Sequence, residues 1–240
     1  MSRSRLIQAL AAAFALLWIA LAIHPVDRSD WLLENVLIAV GVGFLAATRR
    51  ALPLSTPSYL LLFAFLCLHA VGAHYTYSLV PYDDAFRAVS GSSLNELFGA
   101  TRNHYDRLVH FAYGLLLVLP FRELLMLHAR ARGFWSYFLP VDLALSTSAL
   151  YELIEWAAAV VYGGDLGIAF LGTQGDPWDT HKDMALAGLG AVVAALAILA
   201  VNLARGGDLT LDWLRRAGAL RDDAGALRDA GRSASPGDGR

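Results

Sequence analysis

The sequence has 240 residues, of which 57% are apolar and 17% are charged, whereas a soluble globular domain is nearer half apolar and a quarter charged. The formal net charge is −2 and there is a single cysteine, Cys67. This composition excludes an ordinary soluble enzyme, a secreted disulfide scaffold and a basic nucleic-acid-binding protein.

Six apolar runs follow one another along the chain, and each has roughly the twenty residues that cross the hydrocarbon core of a bilayer. Their approximate limits are residues 6–23, 31–47, 58–79, 104–127, 136–162 and 178–204. The first run follows Arg3 and Arg5 as a signal peptide would, but it is long for one, so we expect it to remain as a span. The predicted fold is therefore all-α, a polytopic membrane protein with about six transmembrane helices in one domain over residues 1–205.

Two polar segments do not fit a span. Residues 80–103 are too long for a minimal turn, and we expect them to lie on the membrane or to fold over the ends of the helices. Residues 206–240 form a polar tail in which Gly-Ala-Leu-Arg-Asp occurs twice, at 218–222 and 225–229. A helix there would align a weak apolar face made of Trp213, Ala217, Leu220, Ala224 and Leu227. We expect a disordered or weakly amphipathic tail rather than a partner-binding helix.

The distribution of basic residues predicts the orientation of the spans. If the spans alternate, nine arginines fall on the side of the two termini, namely Arg3, Arg5, Arg49, Arg50, Arg130, Arg132, Arg205, Arg215 and Arg216. The other side holds Arg28, Arg87, Arg102, Arg107 and Lys182. The side richer in basic residues faces the cytoplasm, so we expect a bacterial inner-membrane protein with both termini cytoplasmic. Segments 24–30, 80–103 and 163–177 are then extracytoplasmic.

Polar side chains are concentrated near one end of the predicted spans. Charged groups inside a bilayer are costly, so they face the bundle interior or a wet cavity. Five spans carry His, Asp or Glu near the extracytoplasmic surface, namely Glu34, His69, His74, His104, Asp106, His110, Glu152, Glu155, Asp179, His181 and Asp183. The cytoplasmic half offers mainly Arg122, Glu123, His128 and Asp142. The sequence thus predicts a polar pocket that opens to the extracytoplasmic side.

Helical spacing places three pairs of these residues each on one helix face, namely Asp106 with His110, Glu152 with Glu155, and Asp179 with Asp183. Pairs on three helices would converge on one pocket. Glu152 and Glu155 would repel each other if both were ionised, so they need a proton, a cation or an arginine. Imidazole and carboxylate together bind Zn, Mn or Fe, whereas carboxylates alone suit Mg or Ca. A divalent metal is therefore the cofactor that these residues would hold (Zn, Mn, Fe or Mg), with its identity open.

The chemistry of each side chain suggests its role. The candidate catalytic residues, which would act as acid and base, are His110, Glu152, Glu155 and Asp106. The candidate metal ligands are His74, His104, Asp179 and Asp183. The candidate substrate-binding residues, some of them cations for an anionic group, are Arg102, Arg107, Tyr75, Gln174 and Lys182.

Several of these residues also have a structural interpretation. An N-cap with an acid in the first helical turn would account for two pairs, Asn103 with Asp106 and Asp176 with Asp179. An ion-paired cluster that orients two spans near the cytoplasmic end would consist of Arg122, Glu123 and Asp142.

Several blocks of the sequence resemble the YjdF-like bacterial inner-membrane proteins. They lie at residues 24–28, 31–35, 72–77, 102–111, 151–156, 172–179 and 182–184. The resemblance covers about residues 20–200 and implies a multi-span membrane domain of unknown function, so it brings no reaction with it. Residues 106–111 also resemble the Asp-Lys-x-x-His-Phe start of a helix in VanZ-like membrane domains, with arginine in place of lysine. That likeness implies a substrate in the cell envelope.

Three classes of function remain open from the sequence. The leading hypothesis is a metal-dependent hydrolase or transferase acting on a lipid-linked or phosphate-bearing envelope molecule. The alternatives are a cation- or proton-coupled binding or transport protein for a small molecule, and a non-catalytic membrane assembly protein. The expected partners are the lipid bilayer and a lipid-linked envelope molecule, with no nucleic acid, and the oligomeric state stays open.

Overall fold

The computed structural model describes residues 2–164, 171 and 173–219, and these residues form helices and connecting segments without any strand. The helices are α1 (Arg3–Leu21), α2 (Arg28–Thr48), α3 (Thr56–His74), α4 (Tyr82–Ser90), α5 (Leu94–Phe98), α6 (Tyr105–His128), α7 (Trp135–Tyr162), α8 (Asp179–Arg205) and α9 (Leu209–Arg216). Within this part of the chain, α1, α2, α3, α6, α7 and α8 are long and apolar enough to cross a membrane. The predicted all-α fold with six transmembrane helices is therefore confirmed.

The third span ends earlier than the sequence predicts. α3 stops at His74, and Thr76 and Tyr77 take φ angles of 51° and 52°, which reverse the chain. The Tyr77 ring then packs on Gly72, where any Cβ would lie 2.5 Å from that ring. Its hydroxyl forms a hydrogen bond with the buried His69. A glycine near the end of the helix thus allows Tyr77 to return to the bundle interior.

α6 and α8 cross at small residues. A Cβ on Gly114 would lie 1.9 Å from the carbonyl oxygen of Ala187, and a Cβ on Gly190 would lie 2.1 Å from a backbone oxygen of α6. Close backbone approach through glycine is a common way to pack membrane helices. Gly114 follows Asp106, and Gly190 follows Asp183, by about two helical turns. The close crossing therefore brings the first turns of the two helices together.

α6 lies at the centre of the bundle, with α3, α7 and α8 packed around it, while α1 and α2 pack against α3. Side-chain contacts show that α6 and α8 run in one direction and that α3 and α7 run in the other. The starts of α2, α6 and α8 and the ends of α1, α3 and α7 therefore lie at one end of the bundle. We name it the polar end, and we name the opposite end the tail end.

The segment between α3 and α6 folds against the polar end. Its two short helices, α4 and α5, are joined by a 2.7 Å hydrogen bond from the Ser93 hydroxyl to the Asp83 carboxylate. The hydroxyl oxygen of Tyr82 accepts a 3.0 Å hydrogen bond from the backbone N–H of His104. This contact ties α4 to the start of α6.

An ion pair that the sequence alone does not predict holds the tail end together. Arg122 of α6 is 0% exposed and donates a 3.0 Å hydrogen bond to Oδ1 of Asp208, which follows α8. Glu123 instead accepts a 2.8 Å hydrogen bond from a backbone N–H before α3. Asp142 is exposed. These contacts correct the predicted cluster of Arg122, Glu123 and Asp142, because the partner of the arginine comes from beyond the last span.

The first part of the polar tail returns to the bundle as α9. The Trp213 indole N–H donates a 2.9 Å hydrogen bond to the carbonyl oxygen of Pro53, and Leu214 is fully buried. Of the apolar face expected in the tail, Leu220, Ala224 and Leu227 lie outside the described residues, as does the second Gly-Ala-Leu-Arg-Asp copy at 225–229.

Candidate functional site

Three carboxylates from α6 and α8 meet at the polar end. Asp106, Asp179 and Asp183 each offer one oxygen, and these oxygens all lie within 4.8 Å of one another. We name them the Asp triad. Asp183 is 2% exposed, and its buried Oδ1 has no hydrogen-bond partner in the described part of the chain. Because an unpartnered buried carboxylate oxygen is costly, this point fits a bound cation or a proton.

His110 lies beside the Asp triad. Its Nε2 is 3.6 Å from Oδ1 of Asp106 and 3.4 Å from Oε1 of Glu152. Its Nδ1 is 3.5 Å from the Ser148 hydroxyl. These distances are long for direct hydrogen bonds, yet they place the imidazole between carboxylates of α6 and α7. A ring in this position can exchange a proton with either side.

The two glutamates of α7 lie on one face of the helix, and both are buried. Glu152 faces His110 across the gap between α7 and α6. The neighbouring Tyr151 donates a 3.0 Å hydrogen bond from its hydroxyl to Oε2 of Glu34, a buried acid of α2. The polar site therefore extends from the Asp triad through α7 to α2, and Glu155 lies on the same face of α7 one turn after Tyr151.

Both arginines that were assigned to substrate contact the Asp triad. Arg102 donates to the two oxygens of Asp179 at 2.7 and 2.9 Å, a bidentate pairing that fixes both groups. Arg107 donates to Asp179 at 2.9 Å and also to Asp176. Lys182 donates to Asp176 at 2.6 Å. The cations thus hold Asp179 in place and carry positive charge at the outer edge of the site.

Two groups at the outer edge of the site, Asp176 and His104, have shifted pKa values. The hydrogen bond from Lys182, together with the backbone N–H of Trp178 and Arg107, holds the pKa of Asp176 well below its usual range. Burial lowers the pKa of His104, and the nearby charges of Arg107 and Arg102 lower it further. At neutral pH, Asp176 is therefore an anion and His104 a neutral imidazole. Asp176 also accepts from the backbone N–H of Trp178 at 3.0 Å, so it acts as a local cap and an ion-pair partner at once.

Some residues assigned from the sequence lie apart from the Asp triad. Gln174 exchanges two 3.0 Å hydrogen bonds with the backbone of Asn103 and so braces the loop before α6. Nδ1 of His74 is 2.7 Å from the carbonyl oxygen of Leu21, and the Tyr75 ring packs edge-on against His74. His74 and Tyr75 thus face α1 and each other, because the end of α3 turns toward α1.

A cavity of about 290 Å³ adjoins His110 and Asp106, and its walls come from α2, α3, α6 and α7. Its polar lining includes His69, Tyr77 and Tyr151, and none of these three is a candidate site residue from the sequence alone. The signal for Tyr151 was its position one turn before Glu155 on the polar face of α7. Tyr77 had no such signal, since its place depends on the chain reversal after α3.

Comparisons with known proteins match the chain to a family of membrane proteins. The family described as "Predicted membrane protein (DUF2238)" matches residues 6–204, a range that contains the whole site. The inner membrane protein YjdF of Escherichia coli strain K12 is 39% identical over 190 residues, which is 78% of this chain and 85% of that protein. No solved structure matches the chain.

Proposed function

The chain belongs to the DUF2238 family of membrane proteins, and we propose that it is a metal-dependent hydrolase or transferase acting on a phosphate-bearing, lipid-linked envelope molecule. A divalent cation at the Asp triad is the proposed cofactor. The proposed location is the bacterial inner membrane, with the polar end outward and both termini cytoplasmic, as the arginine distribution predicts. The observation that carries the proposal is the unpartnered Oδ1 of the buried Asp183 within the triad.

Surplus negative charge supports a cation at this point. The site gathers five acids on three helices, namely Asp106, Glu152, Glu155, Asp179 and Asp183. Among these five acids, Asp179 forms ion pairs with both Arg102 and Arg107, and both arginines also pair with Asp176 outside the set. The other carboxylates would repel one another in a medium of low dielectric constant. A divalent cation at the triad would remove two charges at once and give Asp183 its missing partner.

The ligand set favours a cation that accepts oxygen ligands. Three carboxylates suit Mg²⁺ or Mn²⁺. His110, whose Nε2 lies 3.6 Å from Asp106, would add an imidazole and so extend the choice to Fe or Zn. Comparison of the affinities for these four ions therefore also tests whether His110 joins the coordination.

The residues around the triad fit phosphoryl chemistry. When bound, the cation supplies a Lewis acid for a phosphoryl oxygen and for a water. Glu152 and His110, 3.4 Å apart, would take the proton from the attacking water and return it to the leaving group. Arg102, His104 and Arg107 line an outer cavity of about 720 Å³. A part of the headgroup that extends beyond the Asp triad into that cavity would meet both guanidinium groups.

The other two classes of function fit the structure less well. A cation or proton transporter needs a polar path to the tail end, but the region below His69 is lined almost entirely by apolar side chains. Arg122 and Glu123 at the tail end are already engaged in an ion pair and in a hydrogen bond. A purely structural role would leave the carboxylates of Asp106 and Asp183 beside that of Asp179 with their mutual repulsion unrelieved.

Metal content of the detergent-purified protein tests the proposal. After equilibration with Mg, Mn, Fe or Zn and removal of free ion, the wild type should retain about one equivalent. Asp183→Asn keeps the size of the side chain and removes its charge, so it should lose the metal. Asp30→Asn is the matched control. Asp30 is also 2% exposed with an unpartnered oxygen, but it lies on α2 outside the triad, and this variant should keep the metal.

The outcome separates a binding site from a structural cluster. The proposal would be overturned if the wild-type protein retained no metal after equilibration with these ions. So would equal metal content in the wild type and Asp183→Asn, provided that circular dichroism and size-exclusion profiles show both to be folded.

A further inference from the structure

Two cavities adjoin below the catalytic residues. The upper one, of about 290 Å³, contacts Asp106 and His110, and the lower one, of about 240 Å³, extends toward the tail end between α2, α3 and α6. They share Leu37, Phe65, His69 and Tyr113 as lining residues. Together they form one elongated space that is polar at the catalytic end and apolar at the other.

The walls of the lower cavity offer water almost no hydrogen-bonding partners. Leu117 and Phe121 are typical of its walls, and its polar side chains are His69 and Tyr113. Both are already hydrogen-bonded to other groups of the protein. A cavity of this kind stays dry unless an apolar molecule fills it.

The space opens sideways, between α2 and α7. Leu37 of α2 is 41% exposed, and Leu150 and Ile154 of α7 are 56% and 52% exposed, although all three line the upper cavity. Since both helices cross a membrane, these exposed side chains face lipid. The hydrogen bond from Tyr151 to Glu34 joins α2 to α7 at the polar side of the opening.

We infer that the substrate is a phosphate-bearing membrane lipid that reaches the site sideways, between α2 and α7, and places one hydrocarbon chain in the lower cavity. Its headgroup would then lie at Asp106 and His110. The inference rests on the proposed function for the chemistry at the headgroup. The bilayer is the source of the occupant, because hydrocarbon is the solvent that meets this opening.

The lower cavity would fix the position of the lipid's hydrocarbon chain more than it would contribute to the binding affinity. Lipid tails are as apolar as leucine, so a chain gains little when it leaves the bilayer for the cavity. The affinity then comes from the headgroup contacts, whereas the shape of the cavity fixes where the phosphate lies relative to His110. A side chain that fills the lower cavity should therefore exclude the lipid by steric overlap.

Gly41 and Gly43 of α2 provide a matched pair for this test. A Cβ at either position would meet no atom within 4 Å. Gly41 lines the lower cavity, whereas Gly43 is exposed. Gly41→Phe should fill the cavity, and Gly43→Phe adds the same ring to the same helix on a face turned away from the cavity.

The probe is a phosphatidic acid with a diazirine in one acyl chain, incorporated with the protein into phosphatidylethanolamine vesicles. After irradiation, the wild type should carry the label on the α6 peptide that contains Leu117 and Phe121, and unlabelled phosphatidic acid should compete. Gly41→Phe should lower this labelling about tenfold, which corresponds to about 1.4 kcal/mol, because its ring would occupy the space of the acyl chain. Gly43→Phe should leave it unchanged.

Metal content measured in the same samples separates this inference from the proposed function. If wild-type labelling is confined to lipid-facing side chains, or if α6 labelling is undiminished in Gly41→Phe, the lower cavity does not bind an acyl chain. Retained metal together with absent α6 labelling would overturn the acyl-chain site and leave the metal site standing. Labelling of α6 in a protein that binds no metal would support the acyl-chain site and overturn the metal cofactor.

Discussion

Gly114 of α6 and Ala187 of α8 bring two helix backbones into contact, since a Cβ on the glycine would lie 1.9 Å from the alanine carbonyl oxygen. Asp106 lies about two turns before Gly114, and Asp183 and Asp179 lie about one and two turns before Ala187. Rigid helices that touch at one point have a fixed separation nearby. The distances between the carboxylates therefore depend on small residues that have no chemistry of their own.

Gly190→Ala should lower both the stability and the metal affinity of the protein. The new methyl group would lie 2.1 Å from the backbone oxygen of Phe111, so α6 and α8 must separate. Overpacking of this kind costs about 1–3 kcal/mol. Thermal unfolding in detergent, read beside bound metal, measures both effects.

Gly188→Ala is the matched control for that variant. It makes the same change two residues earlier on α8, but its methyl group would meet only the Leu145 side chain, at 3.5 Å. This is an ordinary contact, so the melting temperature and the metal content should stay near those of the wild type. Equal losses in the two variants would show that the close crossing does not set the geometry of the triad.

Glu152→Gln should separate proton transfer from metal binding. Glu152 lies 3.4 Å from His110 and does not belong to the Asp triad. The variant should therefore keep its metal, while phosphate release from a phosphatidic acid substrate falls by about 10²-fold, the usual contribution of a general base. Glu96→Gln, at an exposed acid of α5, should change neither quantity. Loss of metal in Glu152→Gln would instead place this residue among the ligands.

Hydropathy and helical spacing predict much of this molecule, because both are local properties. The apolar runs predict the six spans, and the spacing of Asp179 and Asp183 places both on one face of α8. The spacing does not say which helix this face meets. Contact with Asp106 depends on the crossing at Gly114, which is a tertiary property.

The surroundings of His74 and Arg122 show the same limit of prediction from sequence. His74 lies where the apolar run continues, so the early end of α3 is not visible from hydropathy. The reversal through Thr76 and Tyr77 needs backbone angles that few side chains favour. For Arg122, the nearby acid Asp142 was the obvious candidate partner. The true partner lies 86 positions further along the chain and meets Arg122 only because the segment after α8 folds back.

Asp208→Asn should destabilise the tail end by about 2 kcal/mol, because it leaves the buried guanidinium of Arg122 without its counter-charge. The effect should depend on pH. Burial raises the pKa of Asp208, but the hydrogen bonds and charge of Arg122 outweigh it, so the net pKa is lowered. A carboxyl with a lowered pKa in the folded state stabilises the protein above its unfolded pKa of about 4, and this stabilisation is lost as pH falls through the folded value.

The difference in melting temperature between the wild type and Asp208→Asn should therefore be largest at neutral pH. It should shrink as the pH falls below about 4. Asp212→Asn is the control, since Asp212 is an exposed acid on the neighbouring α9. It should match the wild type at every pH. A difference between wild type and Asp208→Asn that persists unchanged at low pH would contradict the assigned ion pair.

Two single cysteines should establish which side of the membrane carries the polar end. In a Cys67→Ser background, Ser92→Cys lies in the exposed turn between α4 and α5, and Gly207→Cys lies between α8 and α9 at the tail end. With the termini cytoplasmic, an impermeant maleimide should label Ser92→Cys in intact cells and Gly207→Cys only after lysis. The reverse result would place the Asp triad at the cytoplasmic surface. The lipid that reaches the opening between α2 and α7 would then come from the inner leaflet, and an extracytoplasmic envelope substrate would be excluded.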